Sequence, residues 1–179
     1  MHKGIQIGAK PDAGFDDPLA MLKDCHRRIE HFLNIVCLVV DRAANRALSE
    51  EETAAVHAAL NYFRVGGIRH NADEEQSLFP RMRAAGATDQ AGAIDGLEHD
   101  HRDAAEMHDK VDALYSTWIA TGSLTPAQHE ELAAATGKLK QLYTEHIKLE
   151  EEVVFPRAAQ MLNLETLAAM GEEFRARRA

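Results

Sequence analysis

Between residues 70 and 81 the chain reads "HNADEEQSLFPR", and between 146 and 157 it reads "HIKLEEEVVFPR". One template underlies both: a histidine, three residues, Glu-Glu, two residues, an aliphatic residue, then Phe-Pro-Arg. In a helix the histidine and the first glutamate are one turn apart and share a face. That face is otherwise apolar. Val56, Leu60, Phe63, Gly67, His70 and Glu74 make one stripe; Leu132, Ala135, Leu139, Leu142, His146 and Leu149 with Glu150, ending at Val153, make another. A third stripe, Leu19, Leu22, His26, Ile29, Leu33, Val36 and Val40, sets a histidine among aliphatics in steps of three and four. Any fold of this chain has to bury these polar groups, and each costs roughly 2–7 kcal/mol if left without a partner.

The stripes define helices. "DDPLAML" opens the first, with Asp16 or Asp17 as cap and Pro18 in the first turn. "LSEEET" opens the second with Ser49 as the cap of a capping box. Pro80 is expected to stop it before the loop "AAGATD". A third helix is expected over 89–121, with Leu97, Met107, Val111, Leu114 and Trp118 inward. Thr125 caps a fourth, Pro156 interrupts it, and "LETLAAMGEEF" forms a short fifth. The expected architecture is all-α: an antiparallel up-down four-helix bundle with a short C-terminal helix. Residues 17–176 are expected to form this single domain and 1–16 a loose arm. The two copies of the template map the second helix onto the fourth.

Several function classes drop out. A net charge of −9, with the acidity spread along the chain, leaves no basic footprint for nucleic acid. No segment approaches the roughly 20 apolar residues that span a bilayer, and the first residues lack the apolar run of a signal peptide. Cys25 and Cys37 fall on one expected helix about 18 Å apart at 1.5 Å per residue, too far to bridge, which suits reduced thiols in a cytoplasmic protein.

A metal compensates buried histidines and glutamates well. Imidazole nitrogen with carboxylate oxygen suits iron, manganese or zinc, and glutamates from two helices can bridge two ions. The residues so placed are His26, His70, Glu74, His146 and Glu150. The third helix offers "EHDHRDAAEMHD", in which His99 aligns better with the inward edge than His101. Asp103, one turn after His99, is either a ligand or an acceptor for an imidazole N–H. Glu75 and Glu151 turn about 100° from their neighbours, which favours outer hydrogen bonds or surface pairing over ligation. Phe79 and Phe155 read as apolar plugs, and His2, His31, His57, His108 and His129 as ordinary helix or surface histidines.

The segments "DCHRRIEHFL", "RHNADEEQSLFPRM", "LEHDH" and "EHIKLEEEVVFPRA" together resemble the hemerythrin-like HHE cation-binding family, from about residue 18 to 174. The resemblance implies a four-helix bundle around two non-haem iron ions, with zinc or manganese as substitutes. It implies His26, His70, Glu74, His99, His146 and Glu150 as ligands, both glutamates bridging. Oxygen-carrying members hold a His-x3-His pair on the third helix; here the residue one turn after His99 is Asp103, which leaves room for an exogenous ligand. Four histidines and two glutamates look more like bacterial members linked to iron–sulfur cluster repair and nitric oxide stress. The function so implied is binding, sensing or detoxifying a small oxidant (O2, NO or peroxide), with a redox partner. Cluster repair, an oxidase-type enzyme and a storage or structural bundle are the alternatives.

Overall fold

Residues 12–179 are described in the computed structural model of the chain. The expected arm over 1–16 lies outside the described residues as far as residue 11, and so does His2.

The described residues are all-helical, with no strand. Helix α1, Pro18–Ala43, starts at Asp17, whose carboxylate accepts the Ala20 N–H. Helix α2, Glu50–Tyr62, has the expected capping box, Ser49 and Glu52 each bonding the other's backbone N–H. The chain stays helical through a π-turn at Phe63–Gly67, α3 at Ile68–Asp73, a second π-turn at Glu74–Leu78 and α4 at Phe79–Ala84. A short 3-10 turn, Thr88–Gln90, leads into the long α5, Ala91–Thr121. Helix α6, Pro126–Leu149, starts on a second capping box, Thr125 with Gln128. A π-turn at Glu150–Val154 joins it to α7, Phe155–Met161, and α8, Leu164–Ala176, follows. Helix α1 packs on α2 and α6, and α5 on α6.

Neither Pro80 nor Pro156 ends a helix as expected. Each sits in the first turn of the helix after a π-turn, where its missing N–H is harmless. Phe79 and Phe155 N–H reach back five residues, to the carbonyls of Glu74 and Glu150. The fourth stripe is shifted by the same device. Val154 is buried and the expected Val153 is exposed.

The core is two apolar clusters with a polar layer between them. One holds Ile29 to Val40, Val56 to Phe63, Val111 to Trp118 and Leu132 to Leu139. The other holds Leu22, Phe79, Leu97, Phe155, Met170 and Phe174. On every long helical segment the buried histidines and glutamates fall between the two: His26 after Leu22, His70 and Glu74 after Phe63, His101 after Leu97, His146 and Glu150 before Val154. Apolar walls on both sides keep water from these groups.

Candidate metal centre

Six buried side chains meet in the polar layer: His26, His70, Glu74, His101, His146 and Glu150, none more than 4% exposed. They form two clusters that share both glutamates. His26, His70, Glu74 and Glu150 make one, and Glu74, His101, His146 and Glu150 the other, with ligand atoms within 4.8 Å of one another in each. Each glutamate is divided between them. Glu74 Oε1 lies 3.5 Å from His70 Nε2 and its Oε2 lies 3.4 Å from His101 Nε2. Glu150 Oε2 lies 3.0 Å from His26 Nε2 and its Oε1 lies 3.4 Å from His146 Nε2.

These separations are ion-pair distances, yet among the described residues all four glutamate oxygens and His26 Nε2 lack hydrogen-bond geometry. Buried carboxylate oxygens left that way are expensive. The donor set, imidazole nitrogens and carboxylate oxygens facing two common points, fits a pair of cations.

The layer is electrostatically divided. Burial disfavours charge on His26 and His146, but Glu150 beside each raises both above the ordinary range. Burial, and then the neighbouring His26, push His70 well below it. Burial and the like charge of Glu150 raise Glu74 well above the usual carboxylate range. Glu150, against the push of burial, is held low by His146 and His26.

Outer carboxylates orient three of the imidazoles. Nδ1 of His26 is 2.8 Å from Glu151, Nδ1 of His101 is 2.7 Å from Glu75, and Nδ1 of His146 is 3.2 Å from Asp100. An Nδ1–H donated outward leaves the Nε2 lone pair facing the layer. His26 also lies 5.4 Å from Phe155, ring over ring, and His101 lies 6.4 Å from Phe79 in the same manner. Each copy of the template therefore grips a histidine from a non-repeated helix twice, with its second glutamate and with its phenylalanine. Glu75 and Glu151 take the outer role expected of them. Phe79 and Phe155 do more than plug the core, because they fix the planes of two imidazoles.

The histidine that α5 brings to the layer is His101, not the expected His99. His99 is 65% exposed and pairs with Asp103 at 3.4 Å, itself half exposed. Met107, expected to face inward, is only partly buried. Leu97, Ala104, Val111 and Trp118 recur every seven residues and are all buried, with His101, His108 and Tyr115 at the alternate positions. His101, four residues after Leu97, was legible from that heptad. The position one turn beyond it is Ala105, which is exposed and carries no ligand atom.

Ala105 lines a cleft of about 190 Å³ together with Phe63, Gly67, Asn71, His108 and Tyr143. Asn71 follows His70 in the chain, but none of the six layer residues lines the cleft. The first π-turn, Phe63–Gly67, forms part of its wall. Within its lining the Tyr143 hydroxyl lies 3.1 Å from His108 Nε2.

The family model described as Hemerythrin HHE cation binding domain matches residues 17–158. Proteins named iron-sulfur cluster repair protein YtfE are similar over part of the chain. The one from Musicola paradisiaca (strain Ech703) is 35% identical over 95 residues, covering 50% of this chain and 40% of the relative. The one from Edwardsiella ictaluri (strain 93-146) is 34% identical over 90 residues, with the same coverage. The chain thus spans well under two thirds of the length of these relatives. Among the described residues no helix is long and apolar enough to cross a membrane.

Proposed function

Because the chain belongs to the hemerythrin HHE cation-binding family, we propose that it holds two non-haem iron ions and uses them on a small oxidant, O2, NO or peroxide. The observation that carries this reading is the division of the two carboxylates, each offering one oxygen to either cluster. His26 and His70 would hold one ion and His101 and His146 the other, with Glu74 and Glu150 offered to both. The reading takes 17–176 as one antiparallel four-helix domain in the cytoplasm, served by a redox partner.

When bound, the iron pair supplies electrons and an open position to the oxidant. The chain does the rest. Glu75, Glu151 and Asp100 hold three imidazoles in the tautomer that ligates. Phe79, Phe155 and the two apolar clusters exclude water. Ala105, one turn beyond His101, offers no ligand atom and lines the cleft.

The similarity to proteins named for iron–sulfur cluster repair favours a second reading, in which the iron pair helps restore damaged clusters. Elemental analysis and absorption spectra of aerobically purified protein test both. Two irons per chain, with absorption that bleaches on reduction and changes on adding NO, are expected. His101→Ala should lose one ion and His99→Ala neither. Zinc in place of iron, with no redox change, overturns the redox reading and leaves the site. Two irons inert to O2, NO and peroxide, in a protein that reactivates a cluster-damaged enzyme, point to the second reading.

A further inference from the structure

We propose that the two metal positions are unequal: the His101–His146 position fills first, and the His26–His70 position is the exchangeable one. This rests on the two-ion reading above.

The two halves of the centre match residue by residue except at one point. Glu75 anchors His101 as Glu151 anchors His26. Phe79 stacks on His101 as Phe155 stacks on His26. In the repeated helices the match fails. His146 Nδ1 meets Asp100, the residue before His101. The matching residue, the one before His26, is Cys25. His70 Nδ1, in a ring 1% exposed, has no hydrogen-bond partner among the described residues. The Cys25 sulfur instead lies 3.2 Å from Arg28 Nη2.

A thiol is a weak acceptor where a carboxylate is a strong one. An outer carboxylate fixes the ring and makes the ligating nitrogen more basic, and its loss typically lowers metal affinity 10–100-fold. The His101–His146 position has both rings anchored in this way. The His26–His70 position has one anchored and one held by packing alone, against His26 at 5.0 Å, edge to face. At limiting metal the chain therefore holds one ion, on the α5–α6 side, and the second ion comes and goes at His70.

Cobalt(II) titration of the metal-free protein without oxygen, followed by absorption, tests this. It is paired with anomalous scattering from crystals given one equivalent. Two binding steps separated roughly 10–100-fold are expected, the first ion lying at His101 and His146. Asp100→Asn should close most of the gap by weakening the first step. Cys25→Asp should close it from the other side by tightening the second. Asp100→Asn is nearly isosteric, and the melting temperature of its metal-free form checks its fold, so the test stands even if Cys25→Asp misfolds. Equal affinities, a first ion at His26 and His70, or a gap indifferent to Asp100→Asn overturns the proposal while leaving two ions bound. A protein that takes up no cobalt overturns the two-ion reading with it.

Discussion

His108 sits on the same heptad stripe as His101 but outside the polar layer, stacked on Phe63 at 4.2 Å with its Nε2 on the Tyr143 hydroxyl. Burial pushes its pKa down from 6.5 to about 4, with Asp112 opposing weakly. The neutral ring then shares a hydrogen bond with the phenol. The unfolded chain binds a proton here between pH 6.5 and 4 and the folded chain does not. Stability from this residue is thus complete above about pH 6.5 and is lost as pH falls through 4. The loss is about 3 kcal/mol at 1.36 kcal/mol per pKa unit. Urea unfolding of metal-free wild type and His108→Gln across this range measures it as the change in their difference. A difference that stays flat would mean that the folded protein protonates His108 as readily as the unfolded chain does. His99 and His101 differ by the same physics of direction. Two residues along a helix is a rotation of about 200°, so one ring faces solvent and the other the core. Exposure follows phase, and phase is readable only when the anchoring residues are well chosen.

The helices themselves were readable where caps and stripes agree: Ser49 with Glu52, Thr125 with Gln128, and the aliphatic run of α1 around His26. The π-turns were not, because periodicity arguments assume one residue spacing throughout. The template itself states the change of spacing. His to Glu is four residues, an α step, and Glu to Phe is five, a π step. The i to i+5 bond brings Glu74 and Phe79 nearly into line, so Phe79 reaches His101; in a plain α-helix it would point elsewhere. This yields an asymmetric expectation. Deleting the exposed Gln76 removes the extra residue and should return the segment to α spacing with Glu74 and Phe79 still aligned, at little cost to stability. Inserting one Ala after Glu75 swings Phe79, Leu78 and Met82 by about 100° out of the core and should cost about 3–5 kcal/mol. Thermal unfolding of the metal-free variants compares them. Equal damage from both changes would show that the π-turn does not set the phase.

Helix α8 joins the last turn of the chain to the helix that carries His70 and Glu74. Asp73 is fully buried, and it accepts from Arg177 at 2.8 Å and Arg178 at 2.6 Å. One turn on, Ser77 accepts from Arg177 at 2.7 Å and donates to Glu173. One turn further, Arg81 holds Glu173 at 2.6 Å, the main reason that carboxyl lies below its ordinary range. The same end of α8 pins the segment before α1. Arg175 lies over the Phe15 ring at 5.1 Å, and a Cβ at Gly171 would overlap the Phe15 carbonyl. The contacts at 73, 77 and 81 straddle the π-turn of Glu74, so α8 clamps both ends of the segment that presents Glu74 to both histidine clusters. Replacing Arg177 and Arg178 together by Gln leaves Asp73 buried without a cation, a loss that typically costs about 3–5 kcal/mol. Adding Asp73→Asn removes the stranded charge and should restore part of that stability. If urea unfolding finds the double variant within about 0.5 kcal/mol of wild type, the clamp contributes no more than a surface ion pair. If the cost appears and cobalt(II) affinity falls with it, while the triple variant recovers stability and not affinity, the two Arg–Asp73 ion pairs matter to the site as well as to the fold.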